Sequence, residues 1–322
     1  MSNLVTASVP ARLHLGFLDL DGSIGRRFGS IGLPLSEPET VVTLSLSSKT
    51  SVEGPDHERA ASHLETLCNH LEIRARHRLV VESAIPPHVG LGSGTQMAVA
   101  VAAALRTLHD LPIDAGSDAR LLGRGARSGI GIAAFERGGL IVDAGKSADH
   151  LEPPVVARLP FPEEWRVILI LDHGHTGIHG EEEVAAFRAL PPFPAASAGE
   201  ICRRVLMQAL PAVVERDLAA FGAAIQAVQF EVGNYFAPVQ GGVFTSKRVE
   251  RLGERMVEAG ATGIGQSSWG PTGFAFAPSE EVARDIVHVA QESADPGIEL
   301  KIVKGRNSGA EISRNTLRLL GS

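Results

Sequence analysis

The sequence predicts an α+β protein whose helices pack on mainly antiparallel sheets. Three observations predict it. Strand-like and helix-like segments mix along 322 residues without the strict strand–helix alternation of a parallel sheet. A strand-like run, Arg78 to Ile85, passes through a glycine-rich turn into an alanine-rich run ending at Leu105. A second glycine-rich turn, 260–273, leads into the strand Phe274-Ala-Phe276. The length suits two ordinary domains, and Pro153-Pro154 with Leu159-Pro-Phe-Pro162 marks a joint. The expected division is 1–155 and 156–322.

Along the first half, Leu4 to Val9 and Leu13 to Leu20 read as two strands around Pro10. His14 and Asp19 interrupt the second, and Asp21-Gly22 reads as a turn. Gly22 to Pro34 reads as a glycine-rich loop carrying Arg26 and Arg27, either solvated or reaching over a pocket to grip an anion. Thr40 to Ser47 alternates like a strand. Glu58 to Leu71 is an amphipathic helix, with His57, His63 and His70 expected in solvent.

The loop His88-Val-Gly-Leu-Gly-Ser-Gly-Thr95 is the focal point. Gly90, Gly92 and Gly94 permit backbone angles that other residues avoid and let a ligand approach. The following helix aims its free N–H groups and dipole at that loop, which makes an anion site. Ser93 and Thr95 can cap the helix or donate to a phosphate. The spacing is neither a Walker A loop nor a dinucleotide fingerprint. A turn that merely starts a helix would look similar.

Asp118 to Gly125 is a further helix. It leads to a second glycine-rich stretch, Arg127-Ser128-Gly-Ile-Gly-Ile-Ala-Ala-Phe-Glu136-Arg-Gly-Gly139, before the strand Leu140 to Asp143. It suits either a site wall or tight helix packing. In the second half, Trp165 to Leu171 is a buried strand running into Asp172-His-Gly-His175, with His179 and Glu181 to Glu183 beyond. This resembles the start of a metal site, but the sequence supplies no further histidine cluster. Ile201 to Leu210, Leu218 to Phe230, Arg248 to Ala259 and Val282 to Ala290 are helices, and Glu231 to Gly242 is a loop. Gly265-Gln-Ser267-Ser268-Trp269-Gly-Pro271 places hydroxyls beside an indole that anchors the turn or stacks on a ring.

Composition bounds the function. The chain is 44% hydrophobic and 21% charged, with a net charge of -7, as in ordinary soluble proteins. That balance argues against bulk nucleic-acid binding and leaves room for a local basic pocket. Two cysteines, Cys68 and Cys202, give no disulfide framework and point to a reducing compartment. No signal-peptide pattern or membrane-length apolar run is present, so the expected location is cytoplasmic.

Pro86-x-x-x-Gly90-Leu-Gly-Ser-Gly, the segment Pro10-Ala-Arg-Leu-His-Leu-Gly16, which is similar to the usual Pro-x-Arg-x-x-Leu-x-Gly, and the turn near 265 together resemble the GHMP kinase superfamily. That resemblance implies an N-terminal half like ribosomal protein S5 domain 2, a ferredoxin-like C-terminal half and a ligand cleft between them. Several of these kinases carry Gly-Ile-Met-Asp-Gln where this chain has Gly129-Ile-Gly-Ile132, so an isoleucine stands where the proton-accepting aspartate is expected. Pro10 to Asp19, Arg127 to Gly139 and Gly265 to Pro271 are similar to one non-kinase branch, the beta-ribofuranosylaminobenzene 5'-phosphate synthases.

That branch implies condensation of 4-aminobenzoate with 5-phosphoribosyl 1-diphosphate, releasing CO2 and diphosphate, on the way to methanopterin. It implies Mg2+ and no organic cofactor. The glycine loop (Gly90, Gly92, Ser93, Gly94, Thr95) would hold the diphosphate, with Arg127, Ser128, Ser267 and Ser268 along the site. Asp19 or Glu136 would stabilise a cationic ribose carbon, and His14 would hold the ring or move a proton. Arg26 or Arg27 would clamp the acid's carboxylate beside Trp269. Only small-molecule partners are expected, and a homodimer is compatible. The alternatives are an ATP-dependent GHMP kinase and an inactive sensor that kept the loop.

Overall fold

Strand β1, Ser2–Asp19, sets the frame of the molecule in a computed structural model that describes residues 2–147, 152–177 and 180–317. Val5, Ala7, Val9, Ala11, Leu13 and Leu15 alternate along it and are all fully buried. β1 pairs antiparallel with β2, Phe28–Leu46, with register shifts between Pro10 and Arg12 and between His14 and Gly16. The two strands expected around Pro10 are therefore one. Proline has no N–H for the ladder, and the shift absorbs the gap. The loop expected over Gly22 to Pro34 is likewise shorter, because β2 already begins at Phe28.

The rest of the first sheet grows from these two strands. β2 pairs with β4, His77–Ser83, and β4 with the short β3, Ser51–Glu53, in its one parallel contact. β5, Leu140–Asp143, joins the early part of β2, and β6, Val155–Leu159, joins β5. The last strand, β11, Glu311–Leu317, returns to the outer edge of β1. Helices α1, His57–His70, and α2, Ser93–Leu108, cover this sheet. The alanines of α2 allow it to sink fully, so Ala98 to Leu105 are all buried. His63, expected in solvent, is buried under α1, and burial lowers its pKa to about 4. α3, Ala115–Leu121, and α4, Ile130–Glu136, complete this half; α3 starts and ends earlier than expected because Asp114 caps it.

The chain crosses to the second sheet after β6. That sheet has the order β10, β7, β9, β8: Ile298–Val303, Arg166–Asp172, Gly273–Ala277 and Thr262–Gln266, all antiparallel. α9, Lys247–Glu258, and α10, Glu280–Gln291, cover one face through Leu252, Met256 and Ile286. The other face meets α6, Ala195–Arg204, a π-helical segment 205–209, α7, Leu210–Glu215, and α8, Leu218–Gln240. The largest core joins both halves: Leu13, Leu15 and Leu33 share it with Trp165, Leu169, Phe221 and Phe276. α8 runs through the expected loop as far as Gln240. Pro238 lies in its last turn, where it removes one backbone N–H, and Gly241 ends the helix at φ 85°. Among the described residues no helix is long and apolar enough to cross a membrane.

Candidate active site

The cleft lies where β1, the start of α2, the 123–128 loop and the 268–270 turn converge, and it encloses a cavity of about 400 Å³. On β1, Leu13 and Leu15 enter the core, whereas Arg12 and His14 line the cavity floor. Two residues apart, they share a face of the strand. At the other wall, Gly90 and Gly92 both adopt φ 86° and Gly92 caps α2. The first N–H groups of that helix have no intrahelical partners and face an anion site.

The glycines are needed for space as well. A Cβ on Gly90 would lie 2.2 Å from the Ser267 carbonyl oxygen. One on Gly92 would lie 3.2 Å from the guanidinium carbon of Arg12, and one on Gly94 2.9 Å from an Arg124 nitrogen. Two guanidinium groups thus close directly on the loop. Arg12 donates to the Gly90 carbonyl at 2.6 Å; burial lowers its pKa to about 10, against an opposing pull from Glu183. Arg124 is also pushed down, by burial and then by the nearby charge of Arg59, and its buried Nε has no partner. Arg59 reaches the same cavity from α1 while pairing with Asp56 at 3.3 Å. Holding these cations together costs energy unless an anion joins them.

Ten of the expected residues line this cavity: His14, Gly90, Gly92, Ser93, Gly94, Thr95, Arg127, Ser128, Ser268 and Trp269. Ser267 sits beneath the wall. It donates to the Gly90 carbonyl at 2.8 Å and accepts from the His14 N–H at 2.9 Å, tying the turn to loop and floor. Trp269 is only 4% exposed. Its ring packs on Phe236 at 4.3 Å and Phe187 at 5.5 Å, and its N–H donates to Glu183 at 2.8 Å. It anchors the turn and lends the cleft a limited aromatic edge.

Asp19, Arg26, Arg27 and Glu136 lie elsewhere, which corrects their expected roles. Asp19 accepts from the N–H groups of Asp21 and Gly22 at 2.8 and 3.0 Å, so its carboxylate closes the turn. Arg26 donates to the Ala144 and Gly145 carbonyls, and Arg27 to the Leu20 carbonyl, so both guanidiniums staple loops. Glu136 faces a separate cavity of about 500 Å³ with Arg137 and Arg158. Among the described residues, the carboxylate that does line the cleft is Glu183, on α5, Gly180–Ala189, which forms an ion pair with Arg127. Arg12, Arg59, Arg124 and Glu183 were not singled out by sequence. Arg12 and Arg124 lay inside stretches that stood out for other residues, and Glu183 inside the acidic run 181–183; nothing local marked Arg59.

His14 is 3% exposed and burial lowers its pKa to about 3, so the ring is neutral. Its one hydrogen bond uses its own main chain, and Nε2 is buried without a partner. The ring stands edge to face with Phe17 at 4.6 Å. Ile132 is buried, and Asp143, at the end of β5, is fully buried. Asp143 accepts from the Gly129 and Gly145 N–H groups; burial raises its pKa to about 6, and it does not reach the cleft.

A protein-held Mg2+ does not fit these residues. Glu183 has both oxygens engaged, by Trp269 and Arg127, and no group of three or more metal-binding side chains occurs among the described residues. The Asp172-His-Gly-His175 segment is not a metal centre either. His173 pairs with Glu299 at 3.0 Å, and His175 with Asp172 at 2.9 Å. Asp172 is otherwise held by Ser246 at 2.6 Å. His179 lies outside the described residues.

Comparison with known proteins agrees with this geometry. Residues 58–139 match the family described as GHMP kinases N terminal domain, and 209–295 match GHMP kinases C terminal. Homoserine kinase from Cytophaga hutchinsonii shares the fold, with a TM-score of 0.71 at 19% identity, covering 97% of each chain. The beta-ribofuranosylphenol 5'-phosphate synthase of Methanothermobacter thermautotrophicus is 34% identical, covering 94% of this chain and 97% of that protein. The protein of the same name from Archaeoglobus fulgidus is 37% identical over the same shares. With that identity along nearly its whole length, this chain belongs to the beta-ribofuranosylphenol 5'-phosphate synthase family, within the GHMP kinase superfamily.

Proposed function

We propose that the protein transfers the ribosyl 5-phosphate group of 5-phosphoribosyl 1-diphosphate to the ring carbon of a 4-amino- or 4-hydroxybenzoate, as a step of methanopterin synthesis. The observation that carries this reading is the cluster of three guanidiniums, Arg12, Arg59 and Arg124, around the start of α2, of which only Arg59 has an ion-pair partner, Asp56, among the described residues. A diphosphate leaving group supplies the missing negative charge, and charge-assisted bonds to it strengthen as the bond to ribose breaks. The bond between C1 of the ribose and the diphosphate oxygen breaks. A carbon–carbon bond forms at the ring position bearing the carboxylate. The bond to that carboxylate then breaks, its electron pair restores the ring, and CO2 departs. No hydroxyl is deprotonated, so Ile132 in place of an acid is no obstacle. The Glu183 carboxylate is the group placed to offset positive charge on the ribose carbon.

The acceptor's 4-substituent is the open choice. The relatives' names carry a phenol, whereas the sequence motifs resemble synthases named for an aminobenzene product. Mg2+, where used, would arrive on the donor's diphosphate, and no residue here is assigned to it. Among the described residues, the one acid lining the cleft, Glu183, is already paired with Arg127, which gives the kinase alternative less support. The test is incubation with 5-phosphoribosyl 1-diphosphate and carboxyl-labelled 4-amino- or 4-hydroxybenzoate. Equal release of CO2 and diphosphate without ATP is expected. Release of neither, with ADP formed from ATP and a small alcohol, would replace this reading by the kinase.

A further inference from the structure

We infer that His14 is the specificity-determining residue for the acceptor: its Nε2 accepts a hydrogen bond from the 4-amino or 4-hydroxy group, and rings lacking a donor there are rejected. The inference rests on the proposed benzoate acceptor and names how the cleft reads it.

The geometry carries it. His14 lies where the main cleft meets a small side cavity of about 20 Å³. Phe17, Trp269 and Ser268 border both spaces, and Phe236 and Val232 wall the inner one. Three glutamines also line the inner cavity, yet all are occupied. Gln229 donates to the Leu15 carbonyl at 2.7 Å, Gln240 to the Gly242 and Val243 carbonyls at 2.9 Å, and Gln266 to Gln240 at 3.2 Å. His14 Nε2, by contrast, is a buried polar atom with no partner.

A buried acceptor left unpaired is destabilising, and a ligand donor removes that cost. Aromatic walls with one vacant acceptor describe a site for a planar ring bearing an N–H or O–H at its inner end. Neutrality matters too. A protonated imidazole would donate, and would then favour an acceptor substituent such as a nitro group. Burial and the neighbouring Arg12 charge keep this ring unprotonated. A methyl group in place of the donor would leave Nε2 unpaired, and sites of this kind discriminate strongly against such analogues.

The experiment is equilibrium binding of 4-hydroxybenzoate, 4-aminobenzoate and 4-methylbenzoate to the full chain, in the wild type, His14→Phe and His14→Gln. The wild type should favour the donor-bearing acids at least tenfold over 4-methylbenzoate. H14F should abolish that preference while keeping or improving 4-methylbenzoate binding, and H14Q should restore part of it. An undiminished preference in H14F, or if that variant fails to fold, a tenfold loss of 4-methylbenzoate binding in H14Q, would overturn the role of His14 and leave the reaction standing. Failure of all three acids to bind the wild type, with inorganic diphosphate still bound, would overturn the acceptor class and this inference with it.

Discussion

At the scale of single residues, the cleft separates groups placed to hold the proposed donor from groups that hold the scaffold. Arg124→Ala and Arg59→Ala should each weaken inorganic diphosphate binding about tenfold or more, since a charge-assisted hydrogen bond contributes roughly 1.5–3 kcal/mol. Titration calorimetry reads this directly, and unchanged affinity in both would remove these arginines from the donor site. Arg26→Ala should lower thermal stability while leaving that affinity intact, because its guanidinium serves the Ala144 and Gly145 carbonyls. Glu183→Gln should leave diphosphate binding in place and reduce kcat. Sequence could not separate these roles. Arg26 and Arg124 both sit beside glycines, and only folding decides which guanidinium meets the loop and which meets a carbonyl. Arg59 lies 34 residues before Ser93, and no local pattern links them.

At the scale of elements, the strand, glycine loop and helix at 77–108 were legible because their signals are local: apolar alternation, positive-φ glycines and an alanine run. What escaped depended on partners. β1 continues through Pro10 because β2 tolerates a register shift there, and α8 continues past Phe230 because Gly233 lets Val243 pack against it at close range. His63 looked like a surface residue until α1 was laid on its neighbours. The glycine loop yields a test that separates folding from binding. Gly94 has an ordinary helical backbone, so Gly94→Ala should leave the melting temperature unchanged or raise it slightly. Its new methyl would press on Arg124, and inorganic diphosphate affinity should fall. Gly90→Ala should instead destabilise the fold, since φ is 86° and the Ser267 carbonyl lies 2.2 Å from the added carbon.

At the scale of the whole molecule, burial of neutral imidazoles sets the response to acid. His14 is lowered to about 3, and His63 and His77 to about 4, chiefly by burial. In the unfolded chain each takes a proton below about 6.5. The unfolded state therefore binds more protons, and stability is lost as pH falls from 6.5 toward 4. Asp143, raised to about 6, acts oppositely: it favours the fold in acid and loses that contribution as pH rises from about 4 through 6. These imidazoles, with His109 also lowered by burial, outweigh Asp143 and predict net acid lability. Urea midpoints between pH 7 and 4.5 check it, and His14→Phe should flatten the slope. The first sheet also closes on itself in time. β1, which carries Arg12 and His14, pairs on its outer edge with 311–317. During translation at about 5–20 residues per second, the Ser2–Ser8 edge of β1 would wait roughly 15–60 s for that neighbour. Over that interval the nascent chain presents an unpaired strand edge along Ser2 to Ser8, and a chaperone that shields such edges would find its target there rather than in the ferredoxin-like half.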